Sequence, residues 1–313
     1  MSFEINGKEV TPCMIGTWAW GTGSNGSKMV FGQTNSEEQL KETFDTAYNQ
    51  GFNFWDTAEV YGMGTAESIL GKFIQNKNNI VISTKHAPNK KYRINENENS
   101  IKESLQRLNI DYIDLYWLHS PVALKENMRE LAECKKKGLI KSIGLSNGNV
   151  EQIKEANDIL KECGTKLFAV QNHFSLLSLE REKEVLEYCK QNNIMFFGYM
   201  TLEQGALSGH YDERHHFPLF SMRGLTFGKR KFKKIKNLLS YIKELAQKYN
   251  VDSSQIPIAW TVSKGVIPIV GLTKSKHAIS LKDGINIKLT EEEIKKLEEK
   301  AITSGVKCKG IWE

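Results

Sequence analysis

The sequence predicts an α/β fold: a (β/α)8 TIM barrel with an N-terminal β-hairpin and an extra C-terminal helix, residues 1–313 forming a single domain. Three observations predict it. Eight short apolar runs alternate with segments whose apolar residues recur at three- and four-residue spacing, the pattern of parallel strands joined by helices. The alternation continues without a break in composition, which favours one closed barrel over two domains. One unit also echoes another: Lys137-Gly138-Leu139-Ile140-Lys141-Ser142-Ile143-Gly144-Leu145-Ser146 and Lys264-Gly265-Val266-Ile267-Pro268-Ile269-Val270-Gly271-Leu272-Thr273 both read as helix end, buried strand, then glycine and hydroxyl.

Taken in order, Phe3 to Ile5 and Lys8 to Val10 flank Asn6-Gly7, a pair that supplies the positive φ angles of a tight hairpin turn. The apolar runs follow at Cys13–Trp18, Asn53–Thr57, Ile80–Thr84, Ile113–Leu118, Ile140–Leu145, Phe168–Gln171, Ile194–Tyr199 and Val266–Val270. Between them, sets such as Leu40, Phe44, Ala47 and Ile153, Ala156, Ile159, Leu160 would each bury one helical stripe. Ser36 before Gln39 and Thr290 before Glu293 stand at capping-box spacing, and Gly51, Gly138 and Gly265 mark helix ends. Asn89 to Ser100 reads as a loop and helix start. Two segments break the rhythm, the first being Gly205 to Lys229, which is too long for a compact connection and reads as a functional loop. The second, Thr290 to Ile302, is the additional helix.

Composition narrows the function classes. With 313 residues, 40% apolar and 26% charged, 24 Gly and 6 Pro, the chain is an ordinary folded protein and not a disordered, collagenous or coiled-coil one. Its net charge of +6 is too small to argue for nucleic acid. No run approaches the roughly 18 apolar residues of a membrane helix, and Met1 to Lys8 has no signal-peptide core, so a cytoplasmic protein without a membrane partner is expected. Cys13, Cys134, Cys163, Cys189 and Cys308 are widely spaced, without a CxxC pair, and are expected as reduced, mostly buried thiols.

In a parallel barrel the strand C-termini converge on one mouth, so polar residues closing apolar runs carry the functional signal. Asp56 closes the second run with Tyr61 in the loop beyond it, Lys85 closes the third, and His119 closes the fourth. A lysine there loses hydration, and Asp56 is the carboxylate to keep it charged. Beside a charged lysine a tyrosine pKa falls from its usual ~10, making Tyr61 a usable general acid, while His119 donates to a bound oxygen. Singly, such residues are ordinary packing or solvated tips. Four of them on three successive strand ends are a site.

These residues resemble the tetrad of the aldo-keto reductase family, and Gly51-Phe52-Asn53-Phe54-Trp55-Asp56-Thr57-Ala58-Glu59-Val60-Tyr61-Gly62-Met63-Gly64-Thr65-Ala66-Glu67 is similar to that family's first signature. Gly144-Leu145-Ser146-Asn147, Val170-Gln171-Asn172, Tyr199-Met200-Thr201-Leu202 and Gln204-Gly205 follow in the family's order, so the resemblance covers nearly the whole chain. It is nearest to bacterial and plant reductases of the pyridoxal-reductase type. It implies an NADP(H)-dependent carbonyl reductase, NADH being a second candidate cofactor, that binds the dinucleotide without a Rossmann fold. Tyr61 would donate the proton, Lys85 and Asp56 would tune it, and His119 would orient the carbonyl oxygen. Ser146, Asn147 and Gln171 match positions that hold the nicotinamide carboxamide, Tyr199 the ring stacked on nicotinamide, and Leu202, Gln204 and Gly205 the pyrophosphate cradle. The segment after the last strand departs from the family's pattern. It keeps basic residues for a 2′-phosphate, with Gly271, Lys274, Lys276 and His277 as cofactor contacts, but lacks the Glu-Asn pair near adenine.

Trp18, Trp20, His86, Ser120 and the loop from Gly205 to Lys229 are expected to wall the substrate pocket, their aromatics suiting an apolar or ring-bearing carbonyl compound. Other signals are set aside. Gly62-Met63-Gly64 lacks the third glycine of a dinucleotide fingerprint, and Phe73 stands where a P-loop needs a hydroxyl. His210, His215 and His216 have no accompanying ligand spacing, so no metal is expected. The basic run Lys229 to Lys236 reads as a solvated helix face. Two further classes stay open: a nicotinamide-nucleotide-sensing subunit with little turnover, and an aldolase using Lys85 as a Schiff base.

Overall fold

The computed structural model describes residues 3–217 and 221–308. Strands β1 (Phe3–Ile5) and β2 (Lys8–Val10) pair antiparallel, with Asn6 (φ 51°) and Gly7 (φ 79°) in the left-handed turn between them. The barrel strands are β3 (Met14–Gly16), β4 (Phe54–Asp56), β5 (Val81–His86), β6 (Ile113–Leu118), β7 (Ile140–Ser146), β8 (Ala169–His173), β9 (Met195–Tyr199) and β10 (Ile267–Gly271). They run parallel in chain order, and β10 closes the ring by pairing with both β9 and β3. Each expected apolar run is one of these strands.

The strands are joined by helices Glu37–Asn49, Thr65–Ile74, Glu96–Leu108, Leu124–Lys136, Val150–Glu162, Leu179–Gln191 and then, before β10, Lys236–Tyr249 with Gln255–Ser263. Ser275–Gly284 and the additional Glu291–Thr303 complete the outer ring. Thr290 and Glu293 form the expected reciprocal cap. Ser36 accepts from the Gln39 N–H, but the Gln39 amide is drawn instead to the Thr273 carbonyl at 2.6 Å. The segment expected as a loop between Gly205 and Lys229 contains a short helix, Met222–Thr226, capped by the Ser221 hydroxyl. The basic run spans helix Lys229–Lys234 and the start of helix Lys236–Tyr249, with Arg230, Lys233 and Lys234 exposed. Among the described residues no helix is long and apolar enough to cross a membrane.

Inside the barrel, Met14, Phe54, Val81, Leu115, Trp117, Ala169 and Phe197 form one cluster that also takes in Ile5 and Val10 of the hairpin. The Phe197 ring meets Phe54 and Trp117 edge-on, with centroids 5.7 and 5.5 Å away. The hairpin plugs the mouth at the strand N-termini: Lys8 Nζ donates to the Ile80 carbonyl at 2.7 Å and to Asp114 at 2.9 Å, and Asn6 donates to the Asp114 carbonyl at 2.9 Å. With that end filled, the C-terminal ends of β3 to β10 form the mouth left for chemistry.

Candidate active site

The site is assembled from strand ends because the barrel strands stop on a polar residue or a glycine, except β6, which ends on Leu118 with His119 directly after it. Asp56 ends β4, and its Oδ1 accepts from Ser83 Oγ at 2.6 Å and from Gln171 Nε2 at 3.4 Å. Lys85 lies one residue short of the end of β5. Its ammonium is wholly buried and donates to Asp56 Oδ2 at 2.5 Å, to the Thr57 carbonyl at 2.7 Å and to Tyr61 Oη at 3.4 Å. Each of its three protons therefore has an oxygen, which satisfies a buried cation and leaves no lone pair for attack on a carbonyl carbon. The aldolase expectation has no support in this geometry.

Tyr61 is carried by a tight loop whose Gly62 has φ 60°, and a Cβ at Gly62 would fall 2.2 Å from Thr65 Oγ1. The loop is thus pressed against Thr22 and the start of helix Thr65–Ile74, and the Tyr61 ring stands between Trp18 (centroids 5.8 Å apart, stacked) and His119 (6.4 Å, edge-on). His119 follows β6, tied by its N–H to the His86 carbonyl at 2.9 Å, while Asn147 Nδ2 donates to the His119 carbonyl at 2.9 Å. All four tetrad residues are buried and meet at one mouth.

The electrostatics correct one expectation. Tyr61 is pushed well above the usual tyrosine range, first by burial and then by the negative charge of Asp56. The Lys85 ammonium sits closer to Asp56, at 2.5 Å, than to Tyr61 Oη, at 3.4 Å, and its pull on the phenol does not outweigh burial. Burial lowers Lys85 from the ordinary lysine range against the opposing pull of Asp56. His119 is held well below the usual imidazole range by burial and by the Lys85 and His86 charges. At neutral pH the site therefore presents a protonated phenol and a neutral imidazole side by side, both able to donate hydrogen bonds.

The residues expected to hold a dinucleotide line the adjoining arc. Ser146 Oγ donates to the Gln171 carbonyl at 2.8 Å, Asn147 Nδ2 lies 3.1 Å from Ser146 Oγ, and Tyr199 Oη donates to Asn147 Oδ1 at 2.6 Å. Their donors are committed within the protein. What they leave for a ligand is acceptor capacity, on Ser146 Oγ, Asn147 Oδ1 and Gln171 Oε1, which fits the amino group of a carboxamide. The loop bearing Leu202, Gln204 and Gly205 is left-handed at Met200 (φ 62°), Glu203 (φ 47°), Gln204 (φ 54°) and Gly205 (φ 104°), and its Gln204 Oε1 is buried without a partner among the described residues. Beyond β10, exposed Gly271 leads to exposed Lys274 and Lys276, with half-buried His277, at the start of helix Ser275–Gly284. Burial and the charges of Lys276 and Lys274 lower His277 below its usual range. Cationic side chains at a helix N-terminus suit a phosphate group, so the residues present fit a nicotinamide dinucleotide.

The expected pocket wall is only partly at the mouth. Trp18 is there, half-buried against Tyr61 and edge-on to Phe31 at 5.3 Å. Trp20 is not: it is buried outside the barrel against Trp55 and Phe73, its indole N–H donating to the Leu272 carbonyl at 2.6 Å. Alternation explains the difference, since two residues along a single-turn helix reverse the side that a ring faces. His86 is likewise withdrawn, its Nδ1 2.6 Å from Glu59 and its Nε2 3.5 Å from Glu96. Burial opposes its charge, but the two carboxylates raise it above the usual imidazole range. Ser120 is half-buried in the turn after β6. Among the described residues no group of three or more His, Cys, Asp or Glu is set to hold a metal, and His215 instead stacks on Tyr211.

Sequence reasoning missed a second buried cluster. His173, the last residue of β8, stacks on Tyr199 (5.6 Å, 22°) and pairs through Nε2 with Glu203 at 2.7 Å; Ser175 Oγ donates to the same carboxylate. Burial works to raise the Glu203 carboxyl, but pairing with His173 and donation from Ser175 and the Cys308 thiol bring it below the usual range. His173 could have been found by the rule that found His119, a polar residue closing an apolar run. Glu203 carries no such signal.

The description "Aldo/keto reductase family" belongs to the family model that matches residues 12–302. The chain is similar to the chloroplastic pyridoxal reductase of Arabidopsis thaliana, 32% identical over 310 residues, 92% of this chain and 82% of that one. It is also similar to the aldo-keto reductase YhdN of Bacillus subtilis, 30% identical over 279 residues, 84% of this chain and 81% of that one, and to the yakc aldo-keto reductase of Schizosaccharomyces pombe, whose name specifies NADP(+), 29% identical over 303 residues, 90% and 87%. The solved glycerol dehydrogenase AKR11B4 from Gluconobacter oxydans superposes with a TM-score of 0.82 over 99% of this chain and 98% of its own, at 25% identity.

Proposed function

The chain belongs to the aldo/keto reductase family, and we propose that it reduces an aldehyde or ketone to an alcohol with NADP(H), Tyr61 giving the proton. The observation that carries this reading is the buried Lys85 ammonium held between Asp56 at 2.5 Å and Tyr61 Oη at 3.4 Å. A phenol held above its usual range is a weak acid in the resting site. As negative charge develops on a carbonyl oxygen beside it, the phenolic proton moves to that oxygen, and the ammonium already in contact stabilises the phenolate left behind. His119, neutral, donates a second hydrogen bond to the same oxygen. Solvent restores the proton to Tyr61 afterwards.

The cofactor supplies the hydride when bound. Ser146, Asn147 and Gln171 accept from its carboxamide, Tyr199 gives a flat ring for it to lie on, and Leu202, Gln204 and Gly205 receive the diphosphate. Lys274 and Lys276 favour NADP(H) over NAD(H). Trp18, stacked on Tyr61, gives the carbonyl compound an apolar wall.

The test follows NADPH absorbance with a panel of aldehydes and ketones, comparing the parent with Tyr61→Phe. The variant should bind NADP+ as the parent does and lose about 10²–10⁴-fold in turnover. Full activity in Tyr61→Phe would sink the assignment of the proton donor. Tight NADPH binding with no turnover of any carbonyl by the parent would favour the sensing subunit instead.

A further inference from the structure

We propose that the His173–Glu203 pair is a positioning device for the dinucleotide, setting the Met200–Gly205 loop in its binding form and tying that loop to the Tyr199 ring. The inference rests on the cofactor reading above and adds two residues to it. Three non-glycine residues of this loop, Met200, Glu203 and Gln204, have left-handed backbones, and Gly205 follows at φ 104°. Side-chain-bearing L-residues avoid this region, and such conformations persist only where surrounding structure over-determines them.

The surrounding structure is the Glu203 carboxylate. It is buried, receives His173 Nε2 at 2.7 Å and the Ser175 hydroxyl, and is reached by the thiol of Cys308 from the C-terminal segment. His173 and Ser175 belong to β8 and the turn after it, so the loop is pinned to the barrel wall and not to another loop. The same imidazole lies flat against Tyr199, whose hydroxyl is fixed on Asn147 at 2.6 Å. One side chain thus joins two parts of the cofactor arc: its face sets the ring platform and its edge sets the diphosphate loop. A loop already ordered before binding spares the ordering cost at the moment of binding. Among the described residues the side-chain hydrogen bonds and ring contacts of the pair run to Ser175, Cys308 and Tyr199 and not to Tyr61, Lys85 or His119, so the effect belongs to cofactor affinity.

The experiment is calorimetric titration with NADP+ of the parent, His173→Leu, Glu203→Ala, the double variant and Glu203→Gln. Each single variant should weaken Kd about tenfold or more, and the double should be no worse than the weaker single, because the pair acts as a unit. Glu203→Gln, which keeps an acceptor, should recover part of the loss. In turnover assays the KM for NADPH should rise by a larger factor than kcat falls. Should Glu203→Ala fail to fold, Ser175→Ala removes one donor from the carboxylate and should weaken Kd about threefold. Parental Kd in the variants, or strictly additive losses, would overturn the inference while leaving the cofactor reading intact. A parent chain that does not bind NADP+ would overturn both.

Discussion

Lys85 is the residue on which the candidate chemistry and the local stability meet. Replacing it by Met removes the cation from a carboxylate inside the barrel, and breaking a buried pair from one side costs about 3–5 kcal/mol. Lys85→Met should therefore lose both turnover and stability, whereas Asp56→Asn combined with Lys85→Met should regain much of the stability, by urea denaturation, and none of the turnover. His119 makes the pH prediction. Its folded pKa lies below the ordinary imidazole value, so below about pH 6.5 the unfolded chain takes up a proton that the folded chain refuses. Its contribution is complete above that pH and is lost as pH falls towards the folded value, with a slope of at most about 1.4 kcal/mol per pH unit. His86 has the opposite sign, being raised, so the measurement is a difference: thermal melts between about pH 7.5 and 5 should fall more steeply for the parent than for His119→Gln. At this scale Asp56, Lys85 and His119 were legible because each polar residue closes an apolar run. The protonation of Tyr61 was not, because it depends on whether burial outweighs the pull of the Lys85 charge.

Elements repeat the lesson with glycine. The two echoing segments read alike, and both became barrel strands, β7 and β10, yet their glycines serve different ends. A Cβ on Gly144 would come within 2.2 Å of the Trp117 ring, whereas a Cβ on Gly271 meets nothing closer than 3.8 Å. Gly144 is the small residue that lets an indole fill the barrel interior, and Gly144→Ala must displace that ring or the strand. Overpacking of this kind costs about 1–3 kcal/mol, so Gly144→Ala should shift the denaturation midpoint while Gly271→Ala should not. Strand positions were legible from apolar runs because a buried parallel strand has no polar face to hide it. The short helix Met222–Thr226 was not, since its Ser221 cap and five residues fall within a segment too brief for periodicity to register. The same limit hid the reversal between Trp18 and Trp20.

Over the whole molecule the two mouths of the barrel divide the work. The candidate tetrad and the proposed cofactor arc occupy the C-terminal ends of the strands, and the hairpin occupies the other end, where Lys8 bridges the Ile80 carbonyl and Asp114. Asp114 in turn accepts from the Ile82 N–H, so one carboxylate links the plug to β5 and β6. The hairpin was legible from Asn6-Gly7, but its role as a plug was not, because the contacts join residues more than seventy positions apart. That division makes a prediction which separates stability from chemistry. Lys8→Met leaves Asp114 buried with one donor fewer, a loss of about 1–3 kcal/mol. Guanidinium denaturation should show that loss, while the Kd for NADP+ and the turnover of the best carbonyl substrate stay within twofold of the parent. A comparable fall in turnover would mean that strain at the plug reaches Lys85 along β5, and that the two mouths are coupled through the strand they share.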